Sequence, residues 1–191
     1  MRFVKIRTEP DWERPMALRD RLNYLRMEED EILRLMDTVE GLLALASKGN
    51  YAVRSKAVSD LHSLEHFLGG ILEHCRPEER ILESTYHRFL QPHERKRIQA
   101  EHEQIVRLVT SFRDELKFAT SDRTESVVEI GKNLNDRVRQ HIALEQVLLN
   151  RIERLSALPE SVIVRLAKPS GGPDETEPPP NSRGGDEVIT D

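Results

Sequence analysis

The chain has 191 residues, 37% of them hydrophobic and 33% charged, with a formal charge of −5, so one domain with a single sizeable core is expected. Lysines and arginines are scattered among acidic residues, which gives no reason to expect nucleic acid or an anionic membrane as a partner. Cys75 is the single cysteine, the N-terminus lacks the apolar core of a signal peptide, and no window approaches the roughly 20 apolar residues of a membrane span. A cytoplasmic protein that crosses no membrane is predicted.

Residues 1–15 form an N-terminal extension to which the sequence assigns no role. A first helix is predicted over residues 16–47, because apolar side chains recur there at alternating three- and four-residue intervals. Gly49 and Asn50 end this helix, and a second is predicted over residues 52–87. The positions expected to face the core are Leu22, Leu25, Ile32, Met36, Val39 and Leu43, then Leu61, Leu64, Phe67 or Leu68, Ile71, and Ile81 or Leu82.

Gln91-Pro92 breaks the chain and begins a third helix, predicted over residues 92–120. Ser121 and Asp122 are expected to cap a fourth helix over residues 123–156. The core-facing positions of these two helices are Ile98, Ile105, Val109, Phe112 and Leu116, then Val127, Leu134, Val138, Leu148, Ile152 and Leu155. The predicted fold class is therefore all-α, an antiparallel up-down-up-down four-helix bundle over residues 16–158.

The C-terminal segment, residues 159–191, is expected to stay largely outside the bundle. Residues 161–167 are apolar enough to dock onto it. From about residue 168 the chain is rich in Pro, Gly and acidic residues, a composition that cannot bury a core, so a disordered tail is predicted. The sequence names no protein partner for this acidic tail.

Six ionisable residues interrupt the apolar stripes. His74 and Glu78, and likewise His141 and Glu145, are spaced i and i+4, which places an imidazole and a carboxylate on one helix face. The full set of candidate metal ligands is Glu29, His74, Glu78, His102, His141 and Glu145. Counted from the interhelical turns at 1.5 Å per residue, these residues lie at similar heights, with the loosest agreement across the second turn. The pattern predicts a carboxylate-bridged dinuclear metal site.

The energetic argument favours metal over chance burial. One uncompensated buried polar group costs roughly 2 kcal/mol or more, whereas a whole domain is stable by only about 5 to 15 kcal/mol. A pair of divalent or trivalent cations would offset several such groups by drawing imidazoles and carboxylates into coordination.

The remaining candidates are weaker. His62 and His66 lie roughly 18 and 12 Å from His74 along the helix axis, and His87 and His93 flank the bend, so none is expected to ligate. Cys75 is expected to fill core space. Glu79 and Glu101 are either acceptors for an imidazole N–H behind the ligands or solvated glutamates.

Residues 20–157 resemble the hemerythrin-like proteins, the HHE cation-binding domain family. The matching segments are His74 to Glu79, Glu101-His102 and His141 to Glu145, which stand in the family's order on the second, third and fourth helices. The resemblance implies two iron ions bridged by Glu78 and Glu145, with histidines as terminal ligands and an oxo or hydroxo group between the metals.

The chain departs from that family on the first helix. Where the family has a histidine, this sequence reads Met27-Glu28-Glu29-Asp30-Glu31. Glu29 is the natural substitute because it lies on the apolar stripe, and Asp30 could replace it after a modest helix rotation. A carboxylate there makes the site harder, which favours Fe(III) or manganese and argues against simple reversible oxygen carriage.

The function implied by the resemblance is that of a di-iron protein that binds or reduces oxygen, nitric oxide or peroxide in sensing, detoxification or iron handling. The alternative is a non-catalytic helical interaction module with a structural or vestigial metal site. In it a buried polar cluster or one structural metal fixes the bundle register, while the outer faces or the acidic tail bind a protein partner. A ferritin-like oxidase is a third interpretation, disfavoured because its inner ligand pairs are spaced Glu-x2-His.

Overall fold

The computed structural model describes residues 17–81 and 89–158, excluding the side chains of residues 73–81. The predicted N-terminal extension, the predicted disordered tail and the positions Ile81 or Leu82 therefore lie outside the described residues. Four α-helices make up the fold, α1 Leu18–Lys48, α2 Tyr51–Ile81, α3 Pro92–Leu116 and α4 Glu125–Ser156. The predicted all-α, four-helix architecture is confirmed, and the described ranges contain no strand beyond an isolated bridge between Thr120 and Arg123. None of the described helices combines the length and apolar character needed to cross a bilayer.

The predicted start of the third helix is confirmed in detail. Gln91 is the N-cap of α3 and Pro92 its first residue, where the missing N–H of proline costs nothing. Glu94 accepts a hydrogen bond from the backbone N–H of Gln91 at 2.8 Å, completing a capping box. This arrangement satisfies donors that the first turn of a helix otherwise leaves without partners.

The predicted α3–α4 connection is wrong in two respects. α3 ends at Leu116 rather than at residue 120, because the next N–H groups form tighter i to i−3 bonds, from Phe118 to Glu115 and from Ala119 to Leu116. The N-cap of α4 is Thr124 rather than Ser121 or Asp122. Its hydroxyl donates to the Ala46 carbonyl at 3.2 Å, so it joins the α4 start to the α1 end.

Side-chain contacts give the directions of two helix pairs. Arg26 near the start of α1 bonds Glu153 near the end of α4 at 2.7 Å, while the Thr124–Ala46 bond joins the opposite ends. α1 and α4 are therefore antiparallel. α3 and α4 are antiparallel too, since Glu94 bonds Arg151 and Glu101 contacts His141. α2 packs against α1 and α3, and its own direction in the up-down-up-down order stays a prediction.

The core consists of two apolar clusters separated along the bundle axis. The large cluster contains Ile32, Met36, Val39 and Leu43 with most of the buried residues of α2, the C-terminal half of α3 and the N-terminal half of α4. The small cluster contains Leu22, Leu25, Phe89, Leu90, Ile98, Leu148, Leu149 and Ile152. The predicted core stripes are confirmed among the described side chains. Leu68, not Phe67, is the buried member of its pair, and Leu155 is only partly buried.

Candidate metal centre

A layer of buried ionisable side chains lies where the two apolar clusters meet. On α1, Glu29 stands between Leu25 of the small cluster and Ile32 of the large one; on α3, His102 stands between Ile98 and Ile105. His141 and Glu145 interrupt the α4 stripe in the same way. All four of these residues, here called the polar layer, are 1–2% exposed. The predicted common height of these residues on α1, α3 and α4 agrees with this arrangement.

Three members of the polar layer converge. His102, His141 and Glu145 each offer one ligand atom, and these atoms lie within 4.8 Å of one another. Nε2 of His141 is 2.8 Å and Nε2 of His102 is 3.4 Å from Oε1 of Glu145. The two imidazole rings meet edge to face with centroids 4.5 Å apart. We call this group the His-Glu cluster.

The dimensions of the His-Glu cluster fit a metal ion. Two ligand atoms that each lie about 2.1 Å from one ion are about 3.0 Å apart at a right angle and about 3.4 Å apart at a tetrahedral angle. The nitrogen–oxygen separations of 2.8 and 3.4 Å in the cluster lie close to those values. Two imidazoles with one carboxylate are also a donor set that suits iron, among other first-row metals. The cluster can therefore hold a metal ion.

Glu101 lies behind His141 on the side away from Glu145. Its Oε2 is 3.0 Å from Nδ1 of His141, and its Oε1 accepts a hydrogen bond of 3.0 Å from Nε of Arg97. Burial, the largest single influence, acts to raise the pKa of Glu101, but the hydrogen bonds from His141 and then Arg97 hold that pKa below its ordinary value. The lowered pKa favours the carboxylate form of Glu101, which places an acceptor oxygen beside Nδ1 of His141.

The carboxylate of Glu29 on α1 stands outside the His-Glu cluster. Glu29 is buried, whereas Asp30 is exposed, so Glu29 is the acidic residue of this stretch that faces the core. Glu29 does not belong to the group of ligand atoms within 4.8 Å of one another. The candidate ligands His74 and Glu78 fall on α2, but their side chains lie outside the described residues. Their part in the site stays a prediction.

The histidines predicted not to ligate lie at the surface where they are described. His62 and His66 on α2 and His93 on α3 are exposed. His87, Cys75 and Glu79 lie outside the described side chains. The described part of the sequence thus separates buried from exposed histidines as its apolar periodicity predicts.

A separate surface cleft of about 350 Å³ opens at the end of the bundle where α4 begins. Arg54 and Lys132 line it together with Glu125 and Glu129, so its charges balance. The start of α4 lies roughly 25 Å along the helix from His141. This cleft therefore does not belong to the candidate metal centre.

Comparisons of this chain with models of protein families, with curated proteins and with solved structures give no match. The functional argument therefore depends on the site itself.

One contact in the candidate metal centre, from Arg97 to Glu101, was not predicted from the sequence. Its signal was the i, i+4 spacing of a cation and a carboxylate on one helix face.

Proposed function

We propose that this protein is a hemerythrin-like non-haem iron protein, with two metals, that binds or reduces oxygen, nitric oxide or a peroxide. The observation that carries the proposal is the convergence of His102, His141 and Glu145 in a layer only 1–2% exposed. Exposed acidic groups commonly cluster without a metal, whereas two imidazoles and a carboxylate that converge between apolar clusters form a donor set that suits first-row metals such as iron.

The proposed roles of the residues follow from their places. His102, His141 and Glu145 would hold one metal, and Glu29 with the α2 residues His74 and Glu78 would complete the dinuclear site. Bound iron would supply the redox chemistry and the coordination of the small ligand.

The two apolar clusters have a separate role. Leu25, Ile98 and Leu148 lie on one side of the polar layer, and Ile32 and Ile105 on the other. These side chains keep bulk water from the layer, which strengthens electrostatic interactions within it. A small uncharged molecule would reach the polar layer at a lower desolvation cost than an ion would.

The test is anaerobic iron loading, followed by metal analysis and visible spectra before and after exposure to oxygen and to nitric oxide. We expect about two irons per chain and a spectrum that changes with each gas. The variant His102→Gln should lose both properties, whereas the control His62→Gln, altered at an exposed histidine, should keep them.

Two other outcomes would contradict the proposal. Less than one metal per chain, with no response to either gas, would remove the metal centre altogether. Metal binding that raises the melting temperature but leaves the protein silent to both gases would instead support a helical module with a structural metal.

A further inference from the structure

We propose that Glu101 is a positioning residue that selects the tautomer of His141 and so makes the His-Glu cluster able to bind metal. The observation is that His141 lies between two carboxylates. Glu101 Oε2 is 3.0 Å from its Nδ1, and Glu145 Oε1 is 2.8 Å from its Nε2. Both carboxylates compete for an imidazole proton, and the outcome of that competition has opposite consequences for metal binding by His141.

The position of that proton decides whether His141 can be a ligand. A neutral imidazole carries one proton, and the other ring nitrogen presents a lone pair. If Nδ1 donates to Glu101, the lone pair of Nε2 points towards His102 and Glu145. If Nε2 donates to Glu145 instead, a proton occupies the place where a metal would bind. Glu101 therefore favours the ligating form.

Glu101 is itself held in place from the surface. Its two oxygens have different partners, Arg97 at Oε1 and His141 at Oε2, so rotation of the carboxylate is restrained. Its side chain is 13% exposed, while that of Arg97 is 62% exposed. An exposed ion pair between residues i and i+4 contributes little on its own. We therefore expect Arg97 to support Glu101 and Glu101 to produce the main effect.

Two measurements on purified full-length protein test the proposal. In metal-free protein, long-range ¹H–¹⁵N correlation spectra report which ring nitrogen of His141 carries the proton, with the signal assigned by its absence from His141→Gln. Titration with Co²⁺ followed by visible absorption gives the metal affinity. The affinity arm depends on the proposed metal centre, whereas the tautomer arm does not.

The expected results differ among four variants. Wild type should show a protonated Nδ1 and an unprotonated Nε2. Glu101→Leu should shift the proton to Nε2 and weaken Co²⁺ binding by about tenfold to a hundredfold. Glu101→Gln keeps an acceptor oxygen and should restore the Nδ1 proton. Arg97→Met should weaken binding by only about twofold to fivefold.

The control is Glu103→Leu, which removes a carboxylate two residues away that is 59% exposed and lies 3.9 Å from Arg107. It should change neither measurement. An unprotonated Nδ1 or a protonated Nε2 in wild type, or an unchanged tautomer and affinity in Glu101→Leu, would overturn the proposal. If the tautomer depends on Glu101 but even wild type fails to bind Co²⁺, the positioning role is supported and the proposed function is contradicted. If Glu101→Leu fails to fold, Glu101→Ala, which also removes the acceptor oxygens, replaces it in both measurements.

Discussion

His102 on α3 and Glu145 on α4 face each other across a buried helix interface, with Nε2 and Oε1 3.4 Å apart and each side chain 2% exposed. The two residues meet because α3 and α4 are antiparallel and because each interrupts the apolar stripe of its own helix at the same height. His141, one turn before Glu145, adds the third donor. The position of this group between two apolar clusters leads to predictions about metal binding and stability.

Metal binding should stabilise the folded protein. A ligand present at 100 times its Kd raises the free energy of unfolding by about 2.7 kcal/mol, so the melting temperature of wild type should rise when Co²⁺ is added. In His102→Gln this rise should be largely lost, whereas His62→Gln should behave as wild type. Differential scanning calorimetry with and without Co²⁺ measures the effect, and an equal rise in His102→Gln would contradict the assignment of this ligand.

Replacing Glu29 should lower metal binding. Glu29 is 1% exposed, and a buried carboxylate suits iron or manganese as a ligand. Glu29→Leu should therefore lower the iron content per chain. Metal analysis measures the iron content, and urea denaturation checks that the variant folds. The exposed neighbour provides a control, since Asp30→Asn should change neither; a Glu29→Leu protein with full iron content would exclude Glu29 as a ligand.

Two helical glycines should respond oppositely to alanine. A Cβ at Gly131 would lie 2.7 Å from Leu43 Cδ1 and 2.7 Å from Phe112 Cε2, whereas a Cβ at Gly41 would meet nothing within 4 Å. Overpacking a core costs about 1 to 3 kcal/mol, so Gly131→Ala should destabilise the protein. Gly41→Ala should stabilise it by about 1 kcal/mol through helix propensity. Urea denaturation of both variants checks the difference. Stabilisation by Gly131→Ala would show that the side chains of Leu43 and Phe112 can move aside without lowering the free energy of unfolding.

Stability should fall in acid in part through Glu94. The hydrogen bonds from Arg151 hold the pKa of Glu94 below its ordinary value, against the effect of burial. A carboxyl with a lower pKa in the folded state contributes stability that is present above its unfolded pKa and is lost as the pH falls through its folded pKa. Arg151→Met should therefore make the stability curve shallower below neutral pH.

The measurement for Glu94 is urea denaturation between about pH 7 and pH 3, the range in which folded and unfolded carboxyls differ in protonation. Arg154→Met is the matched control, because Arg154 bonds only the Asn150 carbonyl among the hydrogen bonds that the structure gives it. It should leave the slope unchanged. An equal slope in wild type and Arg151→Met would show that the Glu94–Arg151 pair does not contribute to acid sensitivity.

The sequence predicted the helices and the buried polar residues because both depend on local periodicity. Leu25, Glu29 and Ile32 share one helix face whatever the rest of the chain does, and the same holds for Ile98, His102 and Ile105. Proline at the start of α3 likewise acts within one turn. The α3–α4 connection was predicted less well, because the hydroxyl of Thr124 bonds Ala46, a partner from a distant part of the sequence.

The site itself could be predicted only in part. Spacing places His141 and Glu145 together on α4, but the approach of His102 depends on how α3 rotates and slides against α4, which no local pattern determines. The same is true of Glu101, whose role as acceptor or as solvated surface residue is decided by its contact with His141. Glu29 shows the reverse case: periodicity predicts its burial correctly, but not that it falls outside the group of ligand atoms within 4.8 Å of one another.

The measurement that tests the central claim most directly is X-ray absorption at the iron edge of anaerobically loaded wild-type protein, compared with the double variant His102→Gln, His141→Gln. The account predicts outer-shell scattering from imidazole rings in wild type, and its reduction, with loss of iron, in the double variant. Iron bound by oxygen ligands alone, or an identical spectrum and iron content in both proteins, would contradict the claim that the His-Glu cluster is a metal centre.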